Sequence, residues 1–264
     1  MLRLKTFMGE CFGFTLIELA VVLFIVSMVL GGVMVPLSTR LEQEERNKSS
    51  ALLEETRESL IGYTLVNGYL PCPDCPDNTT NNCATAGITA DDGIEDGVNA
   101  VTYGGAATAA SNDRSSANFN VCATNYGNVP WATLGVPEFD AWDNHFFYRV
   151  DDEFADATNG TTDTASCTDT VTTGVSFELC AAGDIDVNDE TGASVAQNLP
   201  FIIMSYGNDD SNTGTSQADN QDHGSNSTYV YRDYSAETDA YDDLMSWVPA
   251  ASLKYQMVRA EKLP

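Results

Sequence analysis

The sequence predicts an α+β chain: one long N-terminal α-helix, then a globular head built on a C-terminal antiparallel β-sheet. Three observations carry this. Residues 14–35 are 22 successive positions in which Glu18 is the only ionisable side chain. A charged stretch with apolar residues at helical spacing follows, and Asn67-Gly68 and Pro71 stop it. From about residue 145, β-branched and aromatic runs alternate with polar turns, as strands of a sheet do.

At 1.5 Å per residue the 22-residue run makes a helix of about 33 Å, enough to cross a bilayer. Gly31, Gly32 and Pro36 should loosen or kink it without ending it. Beyond Pro36, Leu37, Leu41, Ala51, Leu52, Leu60, Ile61 and Leu65 mark the apolar stripe of an amphipathic continuation over 37–67. The whole is a helix of about 50 residues and roughly 80 Å. Residues 70–126 read as loop, rich in Pro, Asn, Thr, Gly and Asp. Strands are expected at 145–150, 175–179, 185–187, 199–206 and 228–232, and 244–263 reads as a short helix opening near Pro249 with Leu253, Met257 and Val258 inward. No internal repeat is present.

A carboxylate four residues inside an apolar segment is expensive and marks a function with a partner, unless it snorkels to the interface of an ordinary anchor. What precedes it is a short segment with Arg3 and Lys5, ending in Cys11-Phe12-Gly13. The register Gly13-Phe14-Thr15-Leu16-Ile17-Glu18 followed by an apolar tail resembles the class III signal of type IV prepilins and type II secretion pseudopilins. An ordinary secretory signal would be cut after its apolar core, here near Gly31-Gly32, which stays the minor alternative.

The resemblance implies that a membrane peptidase cuts after Gly13 and methylates the new N-terminal Phe14. It implies residues 1–13 as leader peptide, 14–36 as a transmembrane and polymerisation helix, and 68–264 as the head of a pilin-like fold. Its partners would be other pilin or pseudopilin subunits, the prepilin peptidase, inner-membrane assembly machinery and the membrane itself. The place implied is the inner membrane, single-pass, with the head in the periplasm or outside the cell on a filament. In assembly, Glu18 of one subunit would neutralise the Phe14 ammonium of another, a pair that fixes axial register because each charge alone is costly in low dielectric. The stretches Tyr69-Leu70-Pro71-Cys72-Pro73, Pro130-Trp131-Ala132-Thr133-Leu134-Gly135 and Leu244-Met245-Ser246-Trp247-Val248-Pro249 resemble, more weakly, a large-headed pilin-like family.

Lys and Arg number 12 against 39 Asp and Glu, a formal charge of −27. Such a surface repels nucleic acid, whose binding needs Lys and Arg to displace counterions. Of the seven cysteines, Cys11 lies in the leader. Cys72, Cys75, Cys83, Cys122, Cys167 and Cys180 are an even set in the exported part, which favours up to three disulfides with 15 connectivities open. Cys72-Pro73-Asp74-Cys75 also reads as half a zinc site, but no second Cys or His pair at ligand spacing accompanies it.

Asp184, Asp186 and Asn188 alternate like part of a calcium loop and are candidate ligands for a structural calcium, without the Gly and Glu a full EF-hand loop needs. Pseudopilin heads commonly hold such an ion, which the resemblance adds. Solvated acidic loops are the competing account, and Asp91-Asp92-Gly93-Ile94-Glu95-Asp96 and Asn208-Asp209-Asp210 are rivals. His145 and His223 stand far apart with no nucleophile or zinc motif around them, so no enzyme is expected. The function expected is a structural subunit of a type IV pilus or type II secretion pseudopilus. The alternative is a membrane-tethered exported binding or enzymatic domain that borrows only the targeting signal.

Overall fold

The computed structural model describes residues 15–100, 106–111, 119, 121–156, 174–208, 220, 227–235 and 241–264, with side chains omitted at 30–39. The chain divides into two units, Met1–Glu45 and Arg46–Pro264. The second unit begins inside the helix, not at residue 68, because the helix buries side chains in the head well before it ends.

Helix α1 (Leu16–Asn67) keeps helical backbone through Gly31, Gly32 and Pro36. In its later part the buried positions are Ser49, Leu53, Thr56, Leu60, Ile61 and Thr64, while Leu41 is more than half exposed. Three of the six carry hydroxyls, so the apolar stripe read from sequence only partly coincides with the packed face. Burial of a hydroxyl is tolerated when it is bonded, and here each is. Thr56 Oγ1 donates to the Leu52 carbonyl at 2.8 Å and Thr64 Oγ1 to that of Leu60 at 2.7 Å. Ser49 Oγ accepts from the Ala141 amide at 3.0 Å. The helix ends on Gly68, at φ +90°, whose N–H meets the Thr64 carbonyl. A Cβ there would lie 2.1 Å from the Gly174 carbonyl oxygen. Lys262 Nζ donates to the Val66 carbonyl at 2.8 Å, supplying the positive charge that the last turn of α1 lacks.

The head centres on an antiparallel four-stranded sheet. Its strands are β4 (Tyr126–Asn128), β5 (Phe147–Val150), β8 (Phe201–Ser205) and β10 (Leu244–Trp247), in the order β10-β8-β5-β4. Register pairs Tyr148 with Ile203 and Phe147 with Met204. Tyr148, Val150, Phe201 and Ile203 pack with Leu53 and Leu60 of α1 and with Leu253 and Met257 of helix α4 (Ala250–Arg259). On the opposite face Phe147, Ile202 and Met204 pack with Ile185, Val187, Leu199 and Tyr229. Those four belong to a second sheet, β6 (Ile185–Asn188), β7 (Ser194–Leu199) and β9 (Thr228–Val230), ordered β7-β6-β9. Covered on both faces, Phe201–Ser205 reads as an unbroken buried run, not an alternation. The head is thus helix on sheet on sheet. Antiparallel pairing prevails, and β9 joins β6 in parallel.

Four expectations are revised. The loop of 70–126 holds a small sheet, β2-β1-β3, from β1 (Gly97–Val98), β2 (Ala110–Ser111) and β3 (Val121–Cys122). Residues 175–179 form no strand, since the Ser176 N–H goes to the Gly68 carbonyl and its hydroxyl to that of Phe154. Residues 244–247 are strand β10, and the helix starts only after Pro249. Within it Leu253 and Met257 are buried while Val258 is 38% exposed. Short helices α2 (Trp131–Leu134) and α3 (Asp152–Ala155) add to the expected set.

Candidate functional site

Helix formation leaves the first N–H groups unpaired, and a Thr followed three residues later by Glu can satisfy them reciprocally. Thr15 and Glu18 do this. Glu18 N–H meets Thr15 Oγ1 at 3.3 Å, and Glu18 Oε2 lies 3.5 Å from both the Thr15 N–H and its hydroxyl. The Thr15 carbonyl accepts from Leu19 N–H at 3.2 Å, the first turn of the helix. Glu18 therefore has a task within its own chain as well as its expected partner in another. Gly13 and Phe14 lie outside the described residues.

After this cap the chain shows large apolar side chains on all sides. Leu16, Ile17, Leu19, Leu23, Phe24 and Met28 are 56–86% exposed, and Val21, Val22, Ile25, Val26 and Val29 are 46–59% exposed. A helix apolar all round requires lipid or other protein around it. Among the described residues no helix is long and apolar enough to cross a membrane. The described side chains of this run end at Val29, about 20 Å from Leu16, short of the roughly 30 Å hydrocarbon core.

Where α1 gives way to the head, two disulfides fix the chain. Cys72 bonds Cys122 and Cys75 bonds Cys83. Cys180 is also disulfide-bonded, and Cys167 lies outside the described residues. Pro71, Pro73 and Pro76 donate no N–H, so the segment makes no regular ladder and carboxylates bind its backbone instead. Glu95 Oε2 accepts from Cys72 N–H at 3.1 Å and its Oε1 from Tyr63 of α1 at 3.0 Å. Asp96 Oδ2 accepts from Cys75 N–H at 3.0 Å, and Asp74 from the N–H groups of Asp91 and Gly93. Burial pushes the Asp74 carboxyl up to about 8 and that of Asp96 to about 7, against these hydrogen bonds.

His145 lies between two rings, stacked on Trp131 at 4.9 Å and Phe139 at 4.6 Å. Its Nδ1 is 3.3 Å from Asp91 and its Nε2 3.2 Å from Glu138. Ionised carboxylates only accept, so both contacts are hydrogen bonds only when the ring carries two protons. Gly93 lies flat against Trp131, with room for no Cβ. The partners of His145 come from 54 residues before it to 6 before it, a convergence that no local pattern announces.

Asp184 precedes β6, while Asp186 and Asn188 lie within it, at steps of two residues and so about 6.6 Å apart along a strand. Asp186 Oδ1 accepts from Asn198 N–H at 3.0 Å, and the neighbouring Asp189 closes the β6–β7 turn through Thr191 and Ala193. Of the acids of 91–96, Asp92 and Asp96 accept from the N–H groups of Ile94 and Cys75, Glu95 from Cys72 N–H and the Tyr63 hydroxyl, and Asp91 from Asn128 Nδ2. Among the described residues, no three His, Cys, Asp or Glu side chains could hold a metal ion.

Residues 8–34 match the family model of the prokaryotic N-terminal methylation motif, which is the type IV pilin and pseudopilin signal. The match covers 27 of the 264 residues and includes Gly13, Phe14 and the capping pair Thr15 and Glu18. Neither a curated protein nor a solved structure matches the chain. The motif is one carried by exported or membrane-anchored proteins of pilin type, and the helix followed by antiparallel sheets agrees with a pilin-like α+β fold.

Proposed function

We propose that the chain is a structural, non-catalytic subunit of a type IV pilus or type II secretion pseudopilus. It is cut after Gly13 by the prepilin peptidase, held in the inner membrane by its helix, and polymerised through that helix with the acidic head outside. The observation that carries this is the helix over 16–29, capped by Thr15 and Glu18 and bearing exposed apolar side chains on every side directly within the methylation motif. Such a surface is satisfied by lipid before assembly and by neighbouring helices after it.

The capping pair sharpens the test of Glu18. Loss of a cap costs about 0.5–2 kcal/mol, whereas leaving one member of a buried ion pair alone costs about 3–5 kcal/mol. Gln keeps the capping geometry but not the charge. Glu18→Gln and Glu18→Ala are therefore both expected to abolish filament formation or secretion at unchanged membrane levels, while Thr15→Ala assembles. Assembly by Glu18→Gln would reduce Glu18 to a cap and remove the register argument. Normal secretion and filament formation with Glu18→Ala would favour the tethered domain. Mass spectrometry of the membrane form should find the mature chain starting at Phe14. An intact Met1 start in membranes with active peptidase overturns the reading.

A further inference from the structure

The two main sheets have four edges, and an edge presents unpaired N–H and C=O groups that a native protein must blunt or use. Three of the four are blunted. On β4, Asn128 exchanges both backbone hydrogen bonds with Asp74, at 3.0 and 3.1 Å. On β9, the Asn220 side chain takes the place of a strand. Its amide donates to the Val230 carbonyl at 3.0 Å and its oxygen accepts from Val230 N–H at 2.8 Å. Strand β7 is bulged against β6 and passes through a left-handed φ of +56° at Asn198. Among the described residues, the outer edge of β10 has no such device.

The direction of its backbone groups follows from the ladder. Val150 N–H donates to the Asn125 carbonyl on the β4 side and Asp151 N–H to the Pro200 carbonyl on the β8 side, both at 2.9 Å. Antiparallel bonding alternates residue by residue. Phe147 and Arg149 therefore bond to Met204 and Ile202, and β8 turns Ile203 and Ser205 to β10. Their partners there are Ser246 and Leu244. Met245 and Trp247 are left with N–H and C=O pointing outward, and among the described residues nothing bonds to them. The side chains of these two residues pack with Phe147, Ile202 and Met204 between the sheets, which holds the edge extended and in place.

Beside this edge lies a cavity of about 270 Å³, lined by residues 243–246 and, across from them, by Arg46, Ser50 and Glu54 of α1. A hollow of about 430 Å³ adjoins it, shares Tyr231, Arg232 and Asp233, and adds Asp189 and Glu190. Charge then selects the occupant. Glu54 is paired with Arg57, and Glu190 with Arg232 at 3.2 Å. Asp189, Asp233 and Asp243 of the lining have no such partner among the described residues. Arg46 opposes them, but its guanidinium is turned to the Asp242 carbonyl at 3.2 Å and the Tyr234 ring at 4.1 Å. A basic segment is attracted to such a rim, and a second copy of a chain at −27 is repelled. We propose that the outer edge of β10 is a docking site for an extended, basic segment of a partner protein, which adds to the four-stranded sheet as a further strand.

The test uses the full chain in a zwitterionic detergent. A fluorescent hexapeptide of alternating Lys and Val is titrated into it. The comparators are an alternating Glu and Val peptide and the Lys–Val peptide N-methylated at every amide. The Lys–Val peptide should saturate at micromolar concentration, and neither comparator should bind within about tenfold of it. Hydrogen exchange read by NMR should find the Met245 and Trp247 amides unprotected in the free chain and protected with the peptide, while those of Leu244 and Ser246 are protected throughout. Met245→Pro removes one outward N–H and leaves the β8 ladder whole, so it should weaken binding about tenfold or more at an unchanged thermal midpoint. Asp233→Lys, at an exposed side chain outside the sheet, should weaken it too, and it serves if the proline loosens the strand. The proposal fails if the Lys–Val peptide does not saturate, if either comparator binds as tightly, or if Asp233→Lys binds as the parent does. Protection of Met245 and Trp247 that rises with protein concentration in the absence of peptide would make a second copy the occupant and overturn it as well.

Discussion

The two described disulfides close rings of very different size, and their removal should rank accordingly. Cys72–Cys122 spans 50 residues and Cys75–Cys83 spans 8. Loop-closure entropy then gives about 4 kcal/mol for the first and about 2.5 kcal/mol for the second. The small ring is nested inside the large one, which shortens the large ring by a few residues and changes its term by only about 0.1 kcal/mol. All four sulfurs are buried, so Cys→Ala in either pair leaves a similar void and that cost largely cancels in the comparison. The measurement is guanidinium unfolding, followed by near-UV circular dichroism, of the chain with both cysteines of one pair replaced by Ala. The 72/122 variant should lose about 1.5 kcal/mol more than the 75/83 variant. Equal losses, or a larger one for 75/83, would mean that the rings do not act on the unfolded chain as argued.

Acidity and one glycine supply two further tests. Burial raises Asp74 to about 8, Asp96 and Asp243 to about 7 and Asp151 to about 9 in the folded chain, from 3.8 in an open one. The folded state therefore holds protons the unfolded state has released, so stability falls as pH rises from about 4 to 9, by up to about 1.4 kcal/mol per pH unit for each group. The thermal midpoint should be higher at pH 5 than at pH 8, and a rise from 5 to 8 contradicts the assignment. Gly68→Ala puts a Cβ at φ +90° and 2.1 Å from the Gly174 carbonyl oxygen, so it should cost at least about 2 kcal/mol in chemical unfolding. An unchanged midpoint would show that this helix end is not fixed.

The long helix and its stop at Gly68 were legible because apolar runs, charge spacing and glycine act locally. So were the strands Phe147–Val150, Phe201–Ser205 and Thr228–Val230, whose side chains are β-branched, aromatic or long. The packed face of α1 was not, because Ser49, Thr56 and Thr64 count as polar while their hydroxyls are bonded to carbonyls or amides inside the fold. Leu244–Trp247 was read into a helix since its composition suits either state, and pairing with Ile202–Ser205 makes it a strand. At the candidate site, the Gly13-to-Glu18 register was visible at once. The disulfide partners and the stack of Trp131, His145 and Phe139 depend on contacts between separate segments, which carry no local signature.

The lysine on the end of α1 has a consequence for the order of events in the cell. Lys262 reaches Val66 across 196 residues, and Leu253, Met257 and Leu263 close the core around it. Until residues 244–263 have been made, the helix end stays bare, β8 lacks its β10 neighbour, and the core stays open on that side. A nascent chain that has not reached these residues has no complete core to fold into. The head locks only when this segment arrives to close it. Contacts so distant in sequence also make that closure slow.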